Sequence, residues 1–367
     1  MNEKIKLGIV GCGAISAAYL NVLAKLKQVE VEAIADINQM AATKRSLEFN
    51  VHAVSVEQLL ADPAISVVLN LTIPAAHASV GMAALEAGKS VYNEKPLTIM
   101  REEGAALLAL AKKKGLRVGS APDTFFGAGH QACRALIDAG AIGQPVAGIA
   151  TMTCRGHESW HPSPEFYYKV GGGPVFDMGP YYITDLVQLL GPVKSVIGMA
   201  RKTFPTRTIT SQPLNGKVVT VDVPTNVMGV LEFACGAIVT LVMSFDIWAA
   251  ELPRIEIYGS EGTLSVPDPN GFGGTPKLWT PTARQWQDVS IEGRPYAGNG
   301  RGIGVTDMAV AAKTNRPHRA SGELAYHVLD IMHALHDASA QQKQVALTTT
   351  CDRPAPIPAD LQEGMID

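Results

Sequence analysis

The chain is poor in charge, in aromatics and in cysteine. Charged residues make up 18% of it, aromatics 6%, and the net charge is −3. That balance gives no electrostatic footprint for nucleic acid. No apolar run approaches the ~20 residues that span a bilayer, so a membrane partner is not expected. Internal repeats and low-complexity tracts are absent from the sequence, which excludes solenoids and arrays. The cysteines are Cys12, Cys133, Cys154, Cys235 and Cys351, an odd count with no pair at metal-ligand spacing. Reduced, mostly buried thiols are the expectation. The stretch Met1–Lys6 runs directly into an apolar strand, without the h-region or cleavage site of a signal peptide. A cytoplasmic protein is expected on that ground.

Apolar residues, at 47% of 367, are plentiful enough for large cores. The length favours two domains over one. Strand–helix alternation runs over the first ~125 residues and the texture changes after about residue 143, and the chain is divided into 1–125 and 126–367. The first part alternates strand and helix patterns. Strands are expected at Lys6–Val10, Val31–Asp36, Ser66–Ile73, Ser90–Asn93 and Arg117–Ser120. Between them lie the helix candidates Ala14–Lys27, Asn38–Phe49, Val56–Ala61, His77–Ala87 and Arg101–Lys114. Several of the strands are Val/Ile-rich without polar alternation, as strands buried on both faces are. This is the layout of an α/β fold with a doubly wound parallel sheet. The second part holds a helix near Val175–Leu190. An alternating apolar/polar stretch follows from Val193 to about Ile291, and helices near Gly302–Lys313 and Gly322–Ala340 close the chain. Its pattern predicts an α+β domain on a mostly antiparallel sheet.

The strand at Lys6–Val10 runs into Gly11-Cys12-Gly13-Ala14-Ile15-Ser16. Gly11 permits the tight turn and Gly13 lets the backbone approach a pyrophosphate. Ser16 takes the place of the third glycine of G-x-G-x-x-G, where a small residue still allows close helix–strand packing. The amides of Ala14 and Ile15, at the start of the helix, then face the phosphates. Asp36 ends the next strand, 25 residues after Gly11. A carboxylate there accepts hydrogen bonds from the adenine ribose and repels a 2′-phosphate, so NAD is favoured. Lys44 and Arg45 keep NADP open. Asn70, Thr72 and Pro74, at the carboxyl end of a later strand, are candidates for the cofactor's flank. His77 either joins them or only caps its helix.

Glu94-Lys95-Pro96 follows the strand Ser90–Asn93, where the nicotinamide ring of such a dinucleotide would lie. Hydride leaves a carbinol carbon only as the hydroxyl loses its proton. An ammonium near that oxygen stabilises the developing charge, and Pro96 stiffens the turn that aims Lys95. Three segments carry a family resemblance: the glycine loop, Ala87-Gly88-Lys89-Ser90-Val91-Tyr92-Asn93-Glu94-Lys95-Pro96-Leu97, and Gly171-Gly172-Gly173-Pro174-Val175-Phe176-Asp177-Met178-Gly179. On them the chain resembles the Gfo/Idh/MocA oxidoreductases, which include glucose–fructose oxidoreductase and inositol dehydrogenases.

The resemblance implies an N-terminal Rossmann domain that binds NAD, with NADP as the variant. It also implies a C-terminal domain whose open sheet often mediates oligomerisation, hence a homodimer or homotetramer. Glu94 would lie near the nicotinamide ribose, and Lys95 and Asp177 would be catalytic. Many members carry His four residues after that Asp, as the acid–base. Here the position is Tyr181, on the same helix face as Asp177. A tyrosine beside an ammonium can act as a phenol/phenolate couple, because the positive charge lowers its pKa. Tyr181 is thus a candidate proton carrier, with Lys95 the alternative.

The stretch Gly156–Gly173 offers His157, Trp160, His161, Tyr167, Tyr168 and Lys169. Polar tips on aromatic bodies suit a polyol, whose C–H faces stack on rings while its hydroxyls bond. His157, Trp160 and Tyr168 are therefore expected to contact substrate. Asp123 and Thr124, after the last strand of the first sheet, are expected to point into the interdomain cleft, with Asp123 as a substrate contact. The basic pair usual in the family is missing there. His157 and His161 have metal-ligand spacing, but no further ligand supports them and no metal is expected. The expected activity is hydride transfer between nicotinamide and a sugar, sugar derivative or cyclitol. Two rivals stand beside it: a glycosidase or lyase that uses bound NAD transiently, and a non-catalytic dinucleotide-binding sensor. Retained Lys95 and Asp177 speak against the sensor.

Overall fold

A computed structural model of the chain describes residues 3–367. The N-terminal sheet is built from β1 (Ile5–Val10), β2 (Val29–Ala35), β3 (His52–Ala53), β4 (Val67–Asn70), β5 (Ser90–Asn93) and β6 (Val118–Ser120). The strands are all parallel, in the order β3-β2-β1-β4-β5-β6. Every residue of β4 and β5 is buried, as strands covered on both faces must be. Helices α1 (Ala14–Leu23), α2 (Gln39–Phe49), α3 (Val56–Ala61), α4 (Pro74–Glu86) and α5 (Arg101–Lys114) make the crossovers. Local chemistry sets their ends. Ser55 and Gln58 cap α3 reciprocally, and Gly115, at φ +67°, ends α5. Helix α4 starts at Pro74 rather than at His77, because proline suits the first helical position. The strand order reverses between β1 and β4, and ligands of such sheets bind in the crevice at the strands' carboxyl ends there.

The second layer starts with α6 (Ala128–Asp138) and β7 (Pro145–Thr153). Next come α7 (Gly173–Leu190), β8 (Val193–Arg201), β9 (Thr206–Thr208), β10 (Val218–Thr220), β11 (Asn226–Phe233), β12 (Ile238–Ser244) and β13 (Ile255–Gly259). The rest are β14 (Thr263–Val266), β15 (Lys277–Trp279), β16 (Trp286–Asp288), α8 (Ile303–Thr314), α9 (Gly322–Gln341) and β17 (Val345–Ala346). Nine of these strands form one sheet, β16-β15-β14-β13-β7-β12-β11-β8-β17, in which only β7 and β12 pair in parallel. Strands β9 and β10 form a separate ribbon. Burial alternates along β11 and β12, so one face of the sheet takes α7 and α9 while the other is bare.

Helix α7 is buried along almost its whole length and packs on β7, β11 and β12. Helices α8 and α9 return to the first sheet and pack on β6, where the Ser120 amide donates to the Ala320 carbonyl at 3.2 Å. This return clamps the carboxyl ends of the parallel strands against the N-terminal half of α7. It sets the cleft. The short strands β3, β9, β15, β16 and β17 lie outside the sequence expectation, since two or three residues hold no period to read.

Candidate functional site

The glycine loop leaves β1 at Gly11, whose φ is +107°. A Cβ there would stand 2.5 Å from the Leu71 carbonyl carbon, so only glycine fits the turn. Gly13 differs: a Cβ on it would meet nothing within 4 Å. Its surface is open, at the start of α1, where the Ala14 and Ile15 amides have no intrahelical acceptor and the Ser16 amide turns back to the Gly13 carbonyl at 3.3 Å. Ser16 is fully buried and donates to the Gly13 carbonyl at 2.7 Å, which closes the turn as expected of a small residue there. Asp36 accepts the Cys12 amide through Oδ2 and the Asn38 amide through Oδ1, both at 2.8 Å. Its carboxylate is thereby fixed beside the loop, and Ile37 next to it is 97% exposed. Burial, then Asp36, pushes the Cys12 thiol up to about 11, so it stays a thiol. Arg45 reaches over from α2, donating to Ser16 Oγ at 3.0 Å and to the Gly13 carbonyl at 3.2 Å. An open glycine face, free helix amides and a fixed acidic residue fit a dinucleotide.

Beyond β4, Thr72 donates through Oγ1 to Asn70 Oδ1 at 2.7 Å, and Pro74 opens α4. His77 does not face the crevice. It is fully buried, with Nδ1 2.7 Å from the Pro96 carbonyl and Nε2 3.1 Å from the Thr72 carbonyl. It ties the turn after β4 to the turn after β5 and is corrected from a cofactor contact to a brace. Burial holds its pKa down, against the pull of the two carbonyls.

Glu94 and Lys95 leave β5 at the crevice. Glu94 accepts Tyr19 Oη at 2.9 Å and the Lys95 amide at 2.8 Å. The Lys95 ammonium donates to Asp177 Oδ1 and to the Asp177 carbonyl, each at 2.8 Å. Burial alone would lower its pKa. The Asp177 carboxylate, with Tyr181 and Glu94, outweighs burial and raises it, so Lys95 is a cation. Asp177 and Tyr181 share the face of α7 that looks at Lys95, whose Nζ lies 5.4 Å from the Tyr181 ring centroid. Burial raises the Tyr181 pKa, and Lys95 and Arg301 only moderate the rise. The neighbouring cation therefore does not bring the phenol below its usual range, contrary to the sequence expectation, because nearly all of the side chain is out of water.

His157 closes the other side of Asp177, with Nε2 3.7 Å from Oδ2. It stacks on Tyr167 at 3.8 Å between centroids and meets Phe245 edge-on at 4.6 Å. Burial, opposed by Asp177, pulls its pKa to about 4. Trp160 lies 5.4 Å from His157 and is 62% exposed, on the rim.

Two expected substrate contacts are not at the surface. Tyr168 is fully buried beneath the loop and donates to Glu158. Asp123 is fully buried as well. Its Oδ2 accepts the amides of Gly302 at 2.9 Å and Gly304 at 3.0 Å, which caps the start of α8. Both are corrected to structural roles. Tyr168 Oη and Asp123 Oδ2 find partners inside the protein rather than in the cleft, while Asp123 Oδ1 is buried without one. Lys169 also points elsewhere, to Thr220 and Asp222.

Sequence reasoning missed Arg301. Its two terminal nitrogens donate to Tyr181 Oη at 3.3 and 3.2 Å, and Nη1 lies 3.7 Å from Glu94 Oε1. The only signal in the sequence is the glycine density of Gly298-Asn299-Gly300-Arg301-Gly302-Ile303-Gly304. Among the described residues no group of three potential metal ligands stands together. No helix among them is long and apolar enough to cross a membrane.

A parallel six-stranded crevice with a glycine loop and a lysine, the lysine paired to an aspartate from a second sheet domain, defines a Rossmann-type oxidoreductase architecture. Comparison with known proteins gives the family. Residues 5–121 match the oxidoreductase family with NAD-binding Rossmann fold, and residues 130–265 match the GFO/IDH/MocA C-terminal domain. The chain belongs to the Gfo/Idh/MocA oxidoreductase family. Among its relatives, a dTDP-3,4-didehydro-2,6-dideoxy-alpha-D-glucose 3-reductase of Saccharopolyspora spinosa is 29% identical over 49% of this chain and 54% of its own length. An inositol 2-dehydrogenase of Salmonella typhimurium is 34% identical over 39% of this chain and 44% of its own. These matches thus span about half the length of each relative. A solved levoglucosan dehydrogenase has the same fold, with a TM-score of 0.82, 22% identity, and 95% of this chain and all of that one covered.

Proposed function

We propose that the protein is an NAD-dependent dehydrogenase of a sugar, sugar derivative or cyclitol, acting at a CH–OH carbon. The observation that carries this reading is the Lys95 ammonium. It is held at 2.8 Å by Asp177 from the second domain, at the carboxyl end of β5, two strands along the same sheet from β1 and its glycine loop. In this reading Gly11, Gly13, Ala14, Ile15, Asp36, Thr72, Pro74 and Glu94 hold the dinucleotide. Asp36 disfavours a 2′-phosphate, which supports NAD; Arg45 at the loop keeps NADP as the alternative. When bound, the nicotinamide accepts or gives the hydride.

The protein's own groups do the rest. Lys95 donates to the substrate oxygen and stabilises its negative charge as the C–H bond breaks. Asp177 orients the ammonium and balances its charge. Tyr181 takes the hydroxyl proton during oxidation and returns it during reduction. That assignment is favoured over Lys95 because the Lys95 ammonium is already committed twice to Asp177, whereas two Arg301 donors stand ready on the Tyr181 oxygen for the charge left when its proton passes to substrate. His157, neutral above about pH 4, offers a hydrogen bond, and Trp160 offers an apolar face to the ring carbons.

The reading extends to a domain division near residue 125, to a cytoplasmic protein with free thiols, and to a homodimer or homotetramer built through the bare sheet face. Its test is formation of NADH and of NADPH across sugars, cyclitols and glycosides, with product analysis of each mixture. Net reduction with one polyol class is the expected result. Aglycone release without net NADH would replace it with the transient-oxidation glycosidase. Binding of NAD with no chemistry on any polyol would favour a sensor.

A further inference from the structure

We propose that Arg301 is the positioning residue that makes Tyr181 a proton donor and acceptor, and that Asp123 fixes Arg301 in place across the domain boundary. The proposal rests on the dehydrogenase reading and names a part of the site that the sequence motifs do not contain.

The geometry is specific. Arg301 gives two N–H groups to one phenolic oxygen, at 3.2 and 3.3 Å, and its Cζ lies 5.7 Å from the Tyr181 ring centroid. Both bonds use Tyr181 Oη as acceptor. Among the described residues nothing accepts the Tyr181 hydroxyl proton, so it is left to a group in the cleft. The arrangement suits a phenol that gives up its proton. Two donors already occupy the oxygen on which charge appears, and a guanidinium is always charged. Lys95 is the second cation over this ring, its Nζ 5.4 Å from the centroid. The remaining charged and titratable groups around it are Asp177 on the same helix, Glu94 after β5, Tyr19 on α1, Tyr167 before α7, and His157 beyond Asp177. In reduction, the Tyr181 proton passes to the carbonyl oxygen as hydride reaches the carbon, and the phenolate remains on Arg301. Oxidation runs the same transfer backwards.

Arg301 is held without freedom to wander. Its amide donates to Asn299 Oδ1 at 3.2 Å. The next residue, Gly302, has φ +113° and hands its amide to the buried Asp123, as does Gly304. A Cβ on Gly304 would meet Tyr92 Oη at 2.1 Å, so the helix start is seated tightly on the first domain. Asp123 thus acts on the chemistry through the backbone, not by touching substrate.

The test compares unaltered protein with Arg301→Gln, Arg301→Lys and Tyr181→Phe. Two readouts are taken. One is the pH profile of kcat and kcat/KM on the best polyol. The other, on protein without cofactor, is the Cζ resonance of 13C-labelled tyrosine, with Tyr181 assigned by its absence in Tyr181→Phe. Arg301→Gln is expected to lower kcat by about 10²-fold, of the order seen on losing one donor to a developing oxyanion. KM should barely change. The pH limb that reports Tyr181 should move to higher pH, and the Tyr181 resonance should shift. Arg301→Lys should recover most of both. An unmoved limb together with an unmoved resonance makes Arg301 structural and overturns the proposal, whatever happens to the rate. If the unaltered protein turns over no polyol, the dehydrogenase reading falls. The resonance then decides the coupling alone: a shift upholds it and no shift ends it. If Arg301→Gln does not fold, Arg301→Met, which also removes the charge and both donors, carries the same comparison.

Discussion

Lys95 reaches Asp177 twice, once at the carboxylate and once at the main-chain carbonyl, both at 2.8 Å. The contact joins the strand end of one sheet to the helix that packs on the other. It sets the distance between the two halves of the site and removes any freedom of the ammonium before a ligand arrives.

Replacing Lys95 with Met should therefore do two separable things. Turnover should fall by about 10³-fold or more, in the range for loss of a positioned acid or charge donor. Stability should fall as well, because Asp177 keeps a largely buried carboxylate without its partner. The loss should be below the ~3–5 kcal/mol of a fully buried pair, since both side chains keep some solvent contact, at 17% and 14%. Binding of NADH, measured by calorimetry, should change by less than tenfold. Turnover near that of the unaltered protein would remove Lys95 from the chemistry.

Gly11 and Gly13 should separate folding from binding. Gly11→Ala forces a side chain into φ +107° and against the Leu71 carbonyl, so its melting temperature should drop. The expected cost is about 1–3 kcal/mol. Gly13 has φ −68° and an empty Cβ position. Gly13→Ala should melt with the unaltered protein yet bind NADH at least about tenfold more weakly, because the methyl occupies the pyrophosphate's approach. Scanning fluorimetry with NADH titration reads both. Unchanged affinity in Gly13→Ala would move the dinucleotide away from this loop.

The parallel sheet and its glycine loop were legible because buried β strands and βα turns are local patterns. The meeting of Lys95, Asp177 and Tyr181 was legible too, since Lys95 and Asp177 sit in contiguous motifs and Tyr181 follows Asp177 by one helical turn. Asp123 and His77 were misread for one reason. A polar residue in the segment just beyond a strand's carboxyl end looks the same in sequence whether its partner is a ligand or a backbone group from a distant segment. Asp123 finds Gly302 and His77 finds Pro96, and neither pairing has a sequence spacing. Tyr168 looked like its neighbours Tyr167 and Trp160, but the 3-10 turn at Pro164–Tyr168 aims it inward. Arg301 was invisible because its role depends on the return of α8 to the first sheet. That is a tertiary fact.

Acid should weaken the fold. Burial holds His157, His327 and His336 at about 4. Their folded pKa lies below the unfolded value of about 6.5, so the unfolded chain binds more protons in between. Their stabilisation is full above about pH 6.5 and is lost as pH falls toward 4. His130 works the other way. Burial pulls its pKa down, but Asp185, 2.9 Å away, outweighs that and raises it. Its contribution is full below about 6.5 and fades on the alkaline side. Burial also holds His77, His318 and His333 down, so six groups oppose one, and melting temperature should decline steadily from pH 7 to 4.5. His327 accepts the Val193 amide at Nε2 and cannot do so once protonated. His327→Gln should flatten part of the decline. A melting temperature that does not fall over this range would show that these imidazoles are not held neutral.

The bare face of the nine-stranded sheet should seat a second copy of the chain. Ile197 and Met199 on β8 stand exposed at 50% and 80%, Met228 on β11 at 45% and Ile238 on β12 at 53%. Strand register makes them one patch: Met199 lies opposite Met228, and Ile197 opposite Val230. A contiguous apolar face of this kind marks an interaction surface. Lys194 and Glu232 pair at 3.2 Å on its rim, so charge of both signs is present for a self-complementary, two-fold contact. Light scattering on the eluting protein should give a dimer or tetramer. Met199→Asp with Ile197→Asp should shift it to a smaller species, because each buried carboxylate would lack a partner. The glycine loop and Lys95 lie on the other domain, so NADH affinity should stay unchanged in that variant. An unaltered protein that elutes as a monomer at micromolar concentration would leave this face without the proposed partner.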